Sequence, residues 1–123
     1  MLFKNKKKKI SEMLIDIADQ YLKRSYDEHD FRQTIEDAVT AWNFSLLDEN
    51  EREASIKKYK KTIKKDNPHF TKKDLNDDVK IIRNIIKKKF EKYPNNHRPI
   101  MDVTVERLPD GKYKIDVHSI DYK

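Results

Sequence analysis

Apolar residues recur at helical spacing in four successive segments of the chain. In the first, Ser11 is a suitable N-cap, and the spacing predicts a helix over about residues 11–24. In the second, Asp30 and Gln33 resemble a capping box and open a helix over about residues 30–46. A loop is expected between these two helices.

The next two segments predict a third and a fourth helix. Asp48 or Asn50 caps the third helix, and the Pro68 that follows Asn67 ends it. Thr71 opens a longer fourth helix with a capping box, and Pro94 stops it. The fourth helix is expected to be central, with one apolar stripe formed by Leu75, Val79, Ile82, Ile86 and Phe90.

Beyond Pro94 the apolar period changes from helical to alternating, which predicts two strands. A three-residue loop ending in Gly111, with a G1 bulge, keeps the apolar residues of both strands on one face, whereas a two-residue loop mixes the faces. The register then pairs Val105 with Ile115, Val103 with Val117, Glu106 with Lys114 and Asp102 with His118. The expected fold is α+β, with about four helices followed by a C-terminal two-stranded antiparallel β-hairpin packed on the helices, above all on the fourth.

Length and charge suggest one domain with an extension. The chain has 123 residues, which is the size of a single domain. We expect residues 1–9 to be a basic N-terminal arm and residues 10–123 to be a single α+β domain. The arm is interpreted as disordered, as a lipid-surface contact or, preferably, as a soluble start to a lysine-rich chain. Residues 10–56 carry 4 basic and 12 acidic side chains, whereas residues 57–98 carry 15 basic and 5 acidic ones. Neither a signal peptide nor a membrane span is predicted, and we expect a cytoplasmic protein.

Known chemical motifs are missing from the sequence. Cysteine is absent, which excludes disulfides and thiolate zinc sites, and a single glycine excludes P-loops and dinucleotide-binding fingerprints. The densest ligand-like cluster, residues 27–30, is interpreted either as a weak cation site or, preferably, as a solvated loop ending in a helix cap. No catalytic residue, metal or cofactor is predicted, so we expect a protein that is not an enzyme.

Apolar residues outside the predicted stripes favour a protein-interaction or regulatory module, which binds a protein partner or forms a homo-oligomer. The alternative is that the fourth helix is buried on two sides and that these residues belong to the core. The interface candidates are Phe44, Ile81 and Ile85 on the helices, with Ile100 and Ile120 paired on the far face of the hairpin.

Lysines line one side of each of the last two helices, and two such stripes could contact the phosphates of nucleic acid. The alternative is that they form an ordinary solvated surface. The nucleic-acid candidates are Lys57, Lys61, Lys64, Lys73, Lys80 and Lys87. A smaller anion site is also a candidate, formed by His97 and Arg98 near His118, although polar residues are common in turns.

Two stretches of the sequence resemble a family of short, uncharacterised bacterial proteins: AWNFSLL at residues 41–47 with the following ERE at residues 51–53, and KFEKYP at residues 89–94 leading to RPIMDV at residues 98–103. The resemblance implies a bacterial cytoplasmic origin and a functional Asn43, but it supplies no catalytic or binding chemistry. From its position at the edge of the second apolar stripe, Asn43 is expected to have a structural role, such as tying its helix to a neighbouring loop.

Overall fold

Four helices precede a two-stranded antiparallel sheet in the computed structural model, which describes residues 9–25 and 27–119. The elements are α1 (Ile10–Leu22), α2 (Glu28–Ser45), α3 (Glu49–Asp66), α4 (Lys72–Lys92), β1 (Ile100–Arg107) and β2 (Tyr113–Ser119). The predicted α+β class is confirmed. In the described ranges, no helix has a stretch that is long and apolar enough to cross a membrane. Residues 1–8 of the predicted N-terminal arm and Ile120 lie outside the described residues.

Two of the four predicted helix starts are correct. The side chain of Asp48 accepts a hydrogen bond from the N–H of Glu51 and caps α3. The side chain of Thr71 accepts one from the N–H of Asp74, which reciprocates as the predicted capping box of α4.

The first two helices begin earlier than their sequence patterns suggest. Helix α1 begins at Ile10, because Glu12 accepts the N–H of Lys9 and this makes Lys9, not Ser11, the cap. Helix α2 begins at Glu28, because the side chain of Asp27 accepts the N–H of Asp30. The acidic segment 27–30 is therefore the cap and first turn of a helix, where negative charge is favourable.

Helix α2 is the central element, which corrects the expectation that α4 is central. It packs against α1, α3, α4 and β1, while β2 packs against α1. The hairpin thus rests on α2 and α1 and not on α4 in the described part of the chain. The ring of Phe31 on α2 stacks on that of Tyr113 on β2, with centroids 4.1 Å apart.

The hairpin has the predicted register over most of its length. All four predicted residue pairs are present, from Glu106 with Lys114 to Asp102 with His118. The loop is also confirmed: Gly111 has φ +88°, its N–H bonds the carbonyl of Leu108, and Leu108 pairs with Lys112 across the loop. Glycine is favoured here because other residues rarely adopt this left-handed conformation.

A bulge at Met101 changes the start of β1. Ile100 pairs with Ser119, but Asp102 pairs with His118, so Met101 has no partner of its own. The extra residue turns Ile100 back to the face of Val103 and Val105, where it is buried. The prediction that Ile100 is an apolar residue on the far face is therefore wrong, and Met101 is the exposed residue instead, at 69%.

The core corrects two further predictions about α4. Ile85 is fully buried, because α1 and α2 both pack on the side of α4 that it occupies, so it is not a surface residue. Phe90, which we expected in the core, is 41% exposed. The guanidinium of Arg52 on α3 covers its ring at 4.9 Å, which shields part of this apolar surface.

Candidate functional site

The six candidate lysines of α3 and α4 are all exposed, but they differ in their partners. Lys64 donates to the backbone carbonyls of Pro68 and Phe70, which close the end of α3. Lys73 forms an ion pair with Asp77. The remaining four lysines form no ion pair with another described residue. We call this set the α3–α4 basic face, and it consists of Lys57, Lys61, Lys80 and Lys87.

The two helices that carry this face run antiparallel and in contact. Arg83 on α4 makes two hydrogen bonds of 2.8 Å with Glu53 on α3, and Tyr59 further along α3 bonds Asp78 earlier on α4. The same register brings Lys57 and Lys80 to the same level along the helix pair. The two lysines thus lie on neighbouring helices, Lys80 also lines the groove that contains Asp77 and Asp78, and each lysine retains a flexible, solvated head.

The candidate anion residues separate into two places. His97 and Arg98 line one groove of about 520 Å³, together with Lys9 and Lys92. His118 instead bonds Asp102 across the hairpin, at 2.5 Å between Nδ1 and Oδ1 and with both side chains exposed. The structure brings His97 and Arg98 together but keeps His118 apart. We call the first place the turn groove, defined by Lys9, Lys92, His97 and Arg98.

Two buried side chains donate hydrogen bonds to the backbone of the turn between α4 and β1, which carries His97 and Arg98. Trp42 donates its Nε1–H to the carbonyl of Arg98 at 2.7 Å. Lys89, only 1% exposed, donates to the carbonyl of Asn96 at 2.5 Å. The Nζ of Lys89 also lies 4.8 Å from the Trp42 ring centroid, a cation–π contact. Burial lowers the pKa of Lys89, because desolvation disfavours its charged form.

Asn43 joins α2 to the start of β1. Its side-chain amide donates to the carbonyl of Ile100 and accepts the N–H of the same residue, each at 2.8 Å. Both backbone groups of Ile100, the first residue of β1, are thus hydrogen-bonded by one side chain of α2, which agrees with the expected structural role of Asn43. The segments 41–47 and 98–103 lie in contact here, because Trp42 and Asn43 bond residues 98 and 100.

A buried carboxyl group lies where α2, α3 and α4 meet. Asp37 is 6% exposed, and its Oδ1 is 3.3 Å from Nε2 of Gln33 and 3.5 Å from the hydroxyl of Tyr59. The same hydroxyl donates to Asp78 at 2.8 Å. Since Tyr59 has one hydroxyl proton, any hydrogen bond to it from Asp37 uses a proton carried by Asp37. We call Asp37, Tyr59 and Asp78 the carboxyl cluster.

Proton affinities in the carboxyl cluster are shifted by burial and by mutual repulsion. Burial, as the largest cause, and the negative charge of Asp78 together raise the pKa of Asp37 to about 7. Burial also raises the pKa of Asp78, against the effect of the Tyr59 hydrogen bond. The pKa of Tyr59 rises for the same reasons, so its hydroxyl stays protonated. Sequence analysis missed this cluster because its members lie about 20 residues apart, with no local motif.

The remaining apolar interface candidates are half-buried. Phe44 packs against the core and meets the ring of Tyr59 edge-on, with centroids 6.1 Å apart. Ile81 also packs against the core and lines a polar groove beside Asp37 and Asp78. Because Ile85 and Ile100 are buried, the candidates do not form one exposed apolar patch in the described part of the chain.

Neither a metal site in the described part of the chain nor a similar protein indicates a function. Within residues 9–25 and 27–119, no group of three histidine or acidic side chains is arranged to hold a metal ion. Comparison with known proteins gives no match: no family model, curated protein or solved structure aligns significantly with the chain.

Proposed function

We propose that this protein binds nucleic acid through the α3–α4 basic face, as a binding module without a catalytic step. One observation carries the proposal: Lys57, Lys61, Lys80 and Lys87 are exposed, form no ion pair with a described residue and lie on two packed helices. Lysines in this state can release counterions from a phosphate backbone, which favours binding regardless of base sequence. The proposal includes the bacterial cytoplasm as the compartment.

The charge distribution of the protein favours one orientation of the protein toward a bound polyanion. Residues 57–98 carry 15 basic and 5 acidic side chains, and residues 10–56 carry 4 and 12. A polyanion is attracted to the helices α3 and α4 and repelled by α1 and α2, so the field of the protein turns the basic face toward it. Lysine is a point charge without the fixed fork of arginine, which favours contacts with phosphates over contacts with base edges.

The test is fluorescence anisotropy with generic duplex DNA and RNA probes over a range of salt concentrations. For the wild type we expect log affinity to fall with log salt, with a slope of roughly 0.9 per phosphate contacted on duplex DNA. The double variant Lys61→Gln/Lys80→Gln should reduce the magnitude of that slope by about 1.8, which corresponds to the loss of two phosphate contacts. Lys23→Gln/Lys112→Gln removes the same charge from the C-cap of α1 and the hairpin loop, and should leave the slope nearly unchanged.

Two results would overturn this proposal. One is the absence of binding at low salt, which would make the lysines a solvated surface. The other is an equal loss of affinity in both double variants, which would indicate attraction by net charge without a defined face.

The protein-interaction or regulatory module expected from the sequence stays a prediction with less support. Two of its five residues, Ile85 and Ile100, are core residues, and a third, Ile120, lies outside the described residues. Light scattering of the purified protein tests it, since self-association would give a mass above that of one chain.

A further inference from the structure

The two edges of the hairpin differ in how their backbone groups are hydrogen-bonded. Along β1, the side chain of Asn43 bonds both backbone groups of Ile100. Arg32 donates to the carbonyl of Val105, which therefore points away from β2. Ile115 lies opposite Val105 in the ladder and belongs to the same non-hydrogen-bonded pair, so its N–H and C=O point away from β1.

The outer edge of β2 has no cover of the kind that α2 gives to β1. Because alternate residues of an antiparallel strand direct their backbone groups to the same edge, the outward groups belong to Tyr113, Ile115 and Val117. Within residues 9–25 and 27–119, no group forms a hydrogen bond with them. We call these backbone groups the β2 edge. Since β2 contains neither a proline nor a bulge, this edge is a template for a further strand.

A concavity of about 550 Å³ lies along the β2 edge, between β2 and the start of α1. Its lining includes the four successive residues 114–117, whose side chains alternate between the two faces of the sheet. A concavity that both faces of a strand line is at the edge of that strand. Ile10 and Ser11 of α1 line its other side. The concavity therefore leaves space beside β2 for the backbone of a further strand.

The charges of β2 favour a second copy of β2 as that strand. Lys114 and Asp116 are both exposed and form no ion pair with another residue in the described ranges. When two β2 strands pair antiparallel with Ile115 opposite Ile115, the outward backbone groups of both strands meet. This register places each Lys114 opposite the Asp116 of the other copy. Opposite charges at facing positions stabilise a strand pair, so β2 is complementary in charge to itself.

The neighbouring symmetric registers are less favourable. A two-fold axis at Asp116 places two carboxylates opposite each other, which is repulsive. An axis at Val117 places Asp116 opposite His118, whose imidazole already contacts Asp102 of β1 and carries a charge only when it is protonated.

We propose that two copies of this protein pair through the β2 edge and form a continuous four-stranded antiparallel sheet, with a two-fold axis at Ile115. A symmetric pair uses the same surface of both copies, so the assembly closes at two chains. The pairing uses the backbone of the hairpin, and neither the α3–α4 basic face nor the apolar interface candidates contribute to it. It therefore stands or falls separately from the function proposed above.

Analytical ultracentrifugation of the full chain between about 10 µM and about 1 mM tests the self-association. Because one strand edge is smaller than a standard interface, we expect a monomer–dimer equilibrium with a Kd of about 100 µM. Hydrogen exchange measured by NMR should show that the amides of Ile115 and Val117 become protected as the concentration rises. The amide of Asp116, which faces Thr104 of β1, should be protected at every concentration.

Charge reversal tests the register. Asp116→Lys and Lys114→Asp each place like charges opposite each other, so each variant alone should dimerise at least about tenfold more weakly. An equimolar mixture of the two variants restores both pairs of opposite charges and should associate about as tightly as the wild type. Each replacement changes the net charge of +6 by two, to +8 or +4, so both variants stay positive and attraction between net charges does not explain the recovery. Recovery also shows that both variants are folded.

Glu91→Lys is the matched control, because Glu91 is exposed on α4 and the replacement changes the net charge as Asp116→Lys does. It should change the Kd less than about twofold. Equal weakening by these two variants, or a mixture that does not recover, would overturn the proposal. A monomer over the whole concentration range would also overturn it and would leave the β2 edge to a strand of a different protein. Protection of the Ile115 and Val117 amides in such a monomer would mean that residues outside the described ranges cover the edge.

Discussion

The side chain of Asn43 pairs with the backbone of Ile100 as a neighbouring strand would, accepting its N–H and donating to its carbonyl. Arg32, eleven positions earlier on α2, donates to the carbonyl of Val105 at 3.0 Å. Eleven helical residues and five strand residues each span about 16 Å, so the helix and β1 match in length. Helix α2 thereby covers backbone groups of β1 that do not pair with β2, and this protects the edge of the sheet.

Replacing Asn43 with alanine should destabilise the protein by about 2 kcal/mol, because two backbone groups of Ile100 lose their partner at a partly buried site. Urea unfolding measures the effect. Asn50→Ala is the matched control, since Asn50 is exposed on α3 and the change should stay within about 0.5 kcal/mol. If the two variants have equal stability, the bridge between α2 and β1 contributes nothing measurable.

The local parts of this fold were predictable from sequence, and the parts that depend on packing were not. Gly111 and the alternation of apolar residues determine the loop and the register, because both act through neighbouring residues. The bulge at Met101 has no such local signal, and it reverses the face of Ile100. Likewise, the side of α4 that carries Ile85 is core only because α1 and α2 cover it.

The candidate sites follow the same division. The lysines of the basic face are exposed, as any charged helical surface is expected to be. Lys89 belongs to the same lysine-rich segment, yet it follows Ile85 and Ile86 by four and three positions and so lies on the buried face of α4. That its ammonium is tolerated there depends on the ring of Trp42, 47 positions earlier in the chain.

The loop glycine gives a second stability prediction. Gly111→Ala should cost about 1 kcal/mol, because alanine is strained at a φ of +88° although no atom lies within 4 Å of the added Cβ. Gly111→Asn should cost less, since asparagine tolerates the left-handed region better. Thermal unfolding of both variants checks this order, and an alanine variant as stable as the wild type would argue against this loop conformation.

The carboxyl cluster predicts a pH dependence of stability. Folding raises the pKa of Asp37 from 3.8 to about 7, so between these values the folded chain holds a proton that the unfolded chain has lost. This contribution therefore decreases as pH rises from about 4 to about 7, and it stays lost above that range. Asp37→Asn should be more stable than the wild type by about 1–3 kcal/mol at pH 8, with a difference that shrinks toward pH 4.

Urea unfolding of the wild type and Asp37→Asn at several pH values separates this effect from other carboxyl groups. Asp74, whose pKa is lowered chiefly by its hydrogen bonds with Thr71, acts in the opposite direction but is present in both proteins. Its contribution therefore cancels in the difference. A difference in stability that does not vary with pH would contradict the assignment of this titration to Asp37.

Chemical acylation tests the burial of Lys89. The amine of Lys87 is exposed, whereas that of Lys89 is covered by Trp42 and the turn. We expect a water-soluble acylating reagent to modify Lys87 at least about tenfold faster in the native protein, and at a similar rate after unfolding in urea, because the reagent cannot reach the buried amine. The lowered pKa of Lys89 acts in the opposite direction, since it favours the unprotonated amine, but it has no effect without access. Peptide mass spectrometry measures both rates, and equal rates in the native protein would contradict this burial.

The chain contains one tryptophan, and its indole is completely buried, with its N–H bonded to Arg98 and an ammonium group over its ring. Its fluorescence is consequently an intrinsic optical reporter of how the α4–β1 turn is seated on α2. An event that lifts this turn would expose the indole to water and move its emission to longer wavelength. Conditions that detach the hairpin or lift this turn can thus be followed on the unlabelled, unmodified protein.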